Sequence, residues 1–342
     1  MAVELYADFA DFKQYVGGRI NTSMEITSLE STIYETARLH IVPALSLSQY
    51  EALVTASSPT TAQTALKPYV KRALAVLTMF EWSKVGGIEV GESGIHRVET
   101  ETRKAAFRYQ EKAYQQDARE KGYECLEVML KFLSDNASTY SAWAATDEAI
   151  AHRRALLNYA STFRLMTDQK IDRFSFECLR PIISSVQTLG VEQQLPASFW
   201  SGFVTRYVAN TLTTPEKEVL SMMRKAIAHK ALEEATAQHW VTIKAGRVYV
   251  TEEFGEQNQY NATTPSTSLL GLGQRNNLWG DRYTCMWKQY IMDHPDDFST
   301  VFDEASGGTS TNANAWHINT TDEDEDAANA THDLKSGATF VM

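Results

Sequence analysis

The stretch Arg72-Ala73-Leu74-Ala75-Val76-Leu77-Thr78-Met79-Phe80-Glu81-Trp82-Ser83-Lys84-Val85 has a second version 158 residues further on. It reads Lys230-Ala231-Leu232-Glu233-Glu234-Ala235-Thr236-Ala237-Gln238-His239-Trp240-Val241-Thr242-Ile243. The same shift pairs Val90 with Val248, Gly122 with Gly280, Leu133 with Ile291, Asp135 with Asp293, and Tyr140-Ser141 with Phe298-Ser299. One constant offset serves both blocks, so the repeat decides the fold before any single motif does. It predicts a mainly α protein built from two tandem helical-bundle modules, each with a small β-hairpin.

Outward from that stretch, Ile26, Leu29, Ile33, Ala37 and Ile41 recur at three- and four-residue steps and predict a helix over 24–41, ended by Pro43. Ser46 or Ser48 caps a short helix carrying Tyr50, Leu53 and Val54. The quoted stretch lies in a helix over 62–84, in which Pro68 marks a first turn or a kink. Alternating residues around Gly91 and Gly94 predict a hairpin over 88–98. A charged helix follows over 102–134, with a break near Gly122, and then one from Asp147 through Tyr159.

The second half predicts helices over 174–188 and 215–241 and a hairpin over 241–251. Leu195-Pro196-Ala197-Ser198-Phe199-Trp200 echoes the run Leu45 to Tyr50. The copies then part: an Asn-, Thr-, Ser- and Gly-rich loop over 255–280 stands where the first half has its charged helix, and a helix resumes at Asp281. The expected organisation is an N-terminal arm (1–19), a first module (20–160), a second module (161–302) and an acidic flexible tail (303–342).

Composition bounds the function. With 342 residues and 43% apolar residues, the chain can build two cores. No run of eighteen apolar residues occurs, so no membrane partner is expected, and Met1 to Leu5 does not read as a signal peptide. Three scattered cysteines, Cys125, Cys178 and Cys285, read as buried reduced thiols. Net charge is −11. The tail from Asp303 holds eight acids and one base, a net of −7, which leaves −4 on the 302 residues before it. A mildly acidic body does not grip nucleic acid, which takes a basic patch, but it can let DNA slide past. The acidic run Asp322 to Asp326 reads as a solvating end, or as a segment that docks on a basic partner or repels DNA.

No catalytic, cofactor or metal motif stands out. His229/Glu233 and Glu148/His152 are pairs one helical turn apart that could edge a metal, but such pairs are ordinary on polar helix faces. Gly271-Leu272-Gly273 has no strand before it and no third glycine. Neither a Gly-x-Ser-x-Gly elbow, a P-loop nor an HExxH motif is present, so no enzyme is expected. Arg103, Arg108 and Arg119 are interleaved with acids on the charged helix, as on a solvated or salt-bridged face or at a contact to an acidic partner.

The order helix, Pro-containing loop, short helix, long helix, Gly-Gly and hairpin is carried by Arg38 to Tyr50, Leu66 to Trp82 and Gly86-Gly87-Ile88. It resembles the small helical head–tail connector (adaptor) proteins of tailed phages. It resembles more closely larger phage and prophage proteins of unassigned role in which that module appears twice, over roughly residues 20–300. The resemblance implies a virion structural protein at the head–tail junction, assembled in the bacterial host cytoplasm. It implies a homo-oligomeric ring, usually of twelve copies, beneath the portal protein. Such a ring extends the channel for double-stranded DNA without sequence-specific binding and docks neck or tail proteins. The helices at 24–41, 62–84, 174–188 and 215–241 would form its wall. The hairpins and the 255–280 loop would be contact elements, and the arm and tail would reach neighbours. Trp200, Trp279, Trp287 and Trp316 lie outside the clearest core stripes and are the candidate interface anchors, with Arg103, Arg108 and Arg119. The duplication leaves open twelve copies in two tiers or six that mimic twelve. Rival readings are another neck or tail-completion ring protein, a helical metal-binding or enzymatic protein around His229, and a helical-repeat binding module.

Overall fold

The computed structural model describes residues 5–16, 25–85, 88–91, 94–97, 108–238, 241–244, 247–250 and 266–301. They are mainly helical. The first half runs α1 (Phe9–Val16), a 3-10 turn (Ile26–Leu29), α2 (Glu30–Thr36), a π turn (Ala37–Ile41), α3 (Val42–Leu45), α4 (Leu47–Thr55), α5 (Thr61–Val85), strands β1 (Ile88–Gly91) and β2 (Gly94–Arg97), α6 (Arg108–Asp135), α7 (Ser141–Ala144) and α8 (Asp147–Arg154). The second runs α9 (Ala160–Thr167), α10 (Arg173–Gly190), α11 (Ala197–Val208), α12 (Thr214–Ala237), β3 (Val241–Lys244), β4 (Arg247–Val250) and α13 (Ser266–Asp293). Each strand pair is antiparallel, with Gly91 opposite Gly94 and Lys244 opposite Arg247.

The apolar residues form two clusters, one from Leu5 to Ala149 and one from Leu156 to Val301. Each is organised on a pair of long helices, α5 against α6 and α12 against α13. Helix α13 begins and ends 158 residues after α6. Buried Thr78 donates its hydroxyl to the Leu74 carbonyl (2.7 Å), and buried Thr236 donates to that of Leu232 (2.6 Å). Gly122 and Gly280 sit where the paired helices cross. A Cβ on Gly122 would lie 2.7 Å from Leu77 Cδ2, and one on Gly280 would lie 2.7 Å from the Lys230 stem.

Earlier elements correspond at slightly shorter offsets. Leu29, Ile33, Ile41, Leu45, Tyr50 and Leu53 are buried, as are Leu179, Ile183, Val191, Leu195, Trp200 and Phe203, 150 positions later. Leu5, Tyr6 and Phe12 match Leu156, Leu157 and Phe163 at 151. The step from 150 to 158 is absorbed where α11 outruns α4 at its C-terminus and α12 starts ahead of the α5 counterpart. A capping box at Thr213 and Glu216, with Pro215 in the first turn, opens that extension.

Several sequence expectations are corrected. Described residues 5–16 are not a free arm: Leu5, Tyr6 and Phe12 are buried, the Tyr6 hydroxyl donates to the Lys71 carbonyl (2.7 Å), and Lys71 pairs with Asp11 (2.5 Å). Pro43 does not end the first helix. It has no N–H to offer Leu39, and a π turn, with the Val42 N–H reaching back to Ala37, carries the helical path through to Leu45. Gly122 does not break α6, because Leu77 packs on it. The supposed 255–280 loop is helical from Ser266 onward. Its weak helix formers are overridden by docking on α12, which buries Asn276, Trp287 and Ile291. Thr146, rather than Asp147, caps α8, which stops at Arg154. Cys285 is exposed rather than buried. The 303–342 tail lies outside the described residues.

Phe12 separates a free arm from a core element. Phe12→Ala is expected to lower unfolding stability by about 3–5 kcal/mol, measured by urea denaturation. A loss below about 1 kcal/mol would mean that α1 is not part of the first core.

Candidate functional site

The two clusters meet at a polar junction. Helix α6 brings Arg119, Tyr123 and Glu127 against the second half, and Tyr123 and Glu127 are buried. Helix α9 begins without a side-chain cap of its own at Tyr159. Glu127 supplies one from the other half: its carboxylate accepts the N–H groups of Ala160 (2.9 Å) and Ser161 (3.0 Å). A carboxylate there also meets the positive end of the helix.

Arg173 opens α10 beside it, with its side chain 1% exposed. The guanidinium lies 3.5 Å from Glu127, donates to the Asn158 carbonyl (2.9 Å), pairs with Glu177, and lies over the Phe176 ring. A buried charge needs such partners, because its hydration is lost. Around this centre the Arg119 guanidinium lies 4.4 Å from the Phe174 ring centre, Phe174 meets Tyr123 edge-on, and Tyr123 meets His40 edge-on. His40 Nε2 is 3.2 Å from Glu81, which also pairs with Lys84 (2.8 Å). Burial pushes the Glu81 carboxyl up, but the bonds to His40 and Lys84 outweigh it and hold its pKa below the ordinary value.

A cavity of about 450 Å³ opens beside the junction, lined by His40, Tyr123, Leu130, Trp143, His152 and Arg180 among others. His152 is buried, edge-on to Tyr159, and its Nε2 has no hydrogen-bond partner among the described residues. Burial, with Arg173 and Arg180 nearby, lowers its pKa from 6.5 to about 3, so the ring is neutral at pH 7. No group of three metal-ligating side chains occurs among the described residues.

A second cluster lies on α12 and α13. His229 Nδ1 is 3.1 Å from Asn276 Oδ1, and its ring stacks with Tyr283 (5.8 Å) and Trp279 (6.5 Å). Lys225 lies over Tyr283 and Arg282 over Trp279. Glu233 pairs with Lys230 (3.5 Å).

The tryptophans expected at an interface divide. Trp200 stacks on Phe203 inside the second core and Trp287 is fully buried, so both are packing residues. Their helices simply turn those positions inward. Trp279 stays at the surface, 37% exposed. Trp316 and Arg103 lie outside the described residues, as does the side chain of Arg108, which begins α6. Arg119 belongs to the contact between the halves rather than to an outward patch. Sequence reasoning missed Glu127 and Arg173, and singled out His152 only as half of a pair with Glu148 on a polar helix face. The available signal was Glu127 itself, an acid within the apolar run Leu126, Met129, Leu130 and Leu133.

A family of unknown function, DUF6712, matches residues 29–153. That span runs from the first buried leucine of the α2 segment to α8, and is what the first half is similar to. Neither the curated proteins nor the solved structures contain a match.

Two outcomes test the junction. Arg173→Ala leaves Glu127 buried with an unbalanced charge and is expected to cost about 3–5 kcal/mol by urea denaturation; a cost under about 1 kcal/mol would mean that the pair does not hold the halves. His152 makes stability depend on pH. Its folded pKa lies below its unfolded one, so from about pH 6.5 down to 3 the unfolded chain binds a proton that the folded chain refuses. Its contribution is therefore complete above about pH 6.5 and lost as the pH falls. Between pH 7 and pH 5 the wild type should lose about 2 kcal/mol more than His152→Gln; equal losses would contradict a neutral, buried ring.

Proposed function

We propose that this chain is a duplicated helical assembly subunit that forms a homo-oligomeric ring at the head–tail junction of a tailed phage. In this reading the ring sits beneath the portal protein, lengthens the passage for double-stranded DNA and offers a platform to neck or tail proteins. Its work is assembly rather than turnover.

The observation that carries the reading is the correspondence of the halves. Phe12 and Phe163, Ile33 and Ile183, Tyr50 and Trp200, and Leu133 and Ile291 fill matching core positions, and each half contains two long crossing helices joined across a strand pair. The DUF6712 match stops at residue 153, just before the second cluster begins at Leu156, as expected if that span is one module. The resemblance of residues 20–300 to connector proteins supplies the phage setting. Two features agree with it. The −4 charge of the chain before the tail suits a wall past which DNA slides. No described helix is long and apolar enough to cross a membrane. A neck or tail-completion ring would share these properties and differ in its neighbours.

Light scattering at increasing concentration, followed by negative-stain imaging, tests the reading. The expected result is a closed ring of six or twelve copies, in solution or on added portal protein. A chain that stays monomeric in both settings would contradict it.

A further inference from the structure

We propose that the cavity beside the junction is a binding site for an uncharged, mainly apolar group that carries a phenol-type hydroxyl. The site would exist whether or not the chain forms a ring.

Its walls come from both halves. The π turn and α3 contribute Leu39 and Pro43, α6 contributes Tyr123, Leu126 and Leu130, and α7 contributes Trp143. Helix α10 closes it from the second half through Glu177 and Arg180. The volume, about 450 Å³, falls in the range of small-molecule sites, and these walls have the apolar and aromatic character of such sites. Leu39 is 62% exposed, so the apolar lining reaches the surface. A π turn is a costly departure from the α-helix and recurs at functional sites. Here it shapes the wall that carries Leu39 and His40.

One polar group within this lining has its bonding capacity unused. His152, on α8, is 5% exposed, and its Nε2 has no hydrogen-bond partner among the described residues. A buried polar atom left in this way costs stability that a suitable partner restores. Burial and the nearby Arg173 and Arg180 keep the ring uncharged, so it calls for a hydrogen bond and not for a counter-ion. A neutral imidazole has one donor and one acceptor nitrogen, and a hydroxyl can serve either.

The charged residues of the lining argue against an ionic ligand. Arg180 is paired with Glu177 (3.1 Å), and Glu148 adds a second carboxylate, which disfavours an anion. An aromatic ring suits the remaining walls, because Tyr123 and Trp143 offer it ring faces and edges. The shared chemistry is that of a phenol, supplied by a free small molecule or by a tyrosine side chain of another protein.

Ligand-observed NMR on the full chain tests the site with p-cresol, toluene and benzoate, and ¹⁵N-histidine labelling locates the contact. The expected result is that p-cresol binds saturably, shifts the His152 ring nitrogens, and binds about tenfold more tightly than toluene, which lacks the hydroxyl. In His152→Leu the two should bind alike. Ala151→Trp, which enlarges an exposed residue of the lining, should block both probes and serves if the first variant folds poorly. A blocked tripeptide, acetyl-Gly-Tyr-Gly-amide, separates the sources: binding like that of p-cresol supports a protein's tyrosine, and exclusion while p-cresol binds supports a free phenol. Equal binding of p-cresol and toluene to the wild type would mean that water already satisfies His152 and would overturn the recognition of a hydroxyl. Tighter binding of benzoate would overturn the uncharged class. Absence of binding, or binding that survives Ala151→Trp, would overturn the site.

Discussion

A guanidinium with almost no access to water fixes the relation between the halves. Glu127, Glu177 and the Asn158 carbonyl surround the Arg173 guanidinium. Glu127 also holds the first turn of α9. Each group depends on the others, and they come from both halves, so rotating or sliding one half would strand a buried charge. Apolar contacts tolerate small shifts, whereas this arrangement does not. The cavity, the neutral His152 and the aromatic chain from Phe174 to His40 surround that fixed point.

The same constraint explains why equivalent positions differ in chemistry. Buried positions 150 to 158 residues apart carry like side chains: Leu29 and Leu179, Phe12 and Phe163, Thr78 and Thr236. The α6 face and its α13 counterpart do not. Glu127 becomes Cys285 and Tyr123 becomes Asp281. One face meets α10 of its own chain and the other does not, so the residues on them are free to diverge.

The mainly helical class and the long helices were legible in apolar spacing, because a buried stripe leaves a period that sequence reports directly. The path from Ile26 to Leu45 was less so: a π turn leaves no compositional mark, and Pro43 reads as a stop. Helix α13 was shortened because Gly271, Gly273, Asn276 and Asn277 are poor helix formers, and only its packing on α12 makes them helical. Residues 5–16 read as an arm because their partner, α5, is sixty positions away. The junction was least legible. Glu127 and Arg173 are charged and distant in sequence, and nothing local signals that folding buries them together. For the same reason Trp200 and Trp287 were placed at an interface: isolated aromatics do not reveal which way they face.

The central claim is that Glu127 and Arg173 hold the two halves in one fixed relation. A double-mutant cycle with Glu127→Gln and Arg173→Ala, read by urea denaturation, tests it most directly. The account predicts a coupling energy of about 1–3 kcal/mol between the two positions. Additive losses would contradict it.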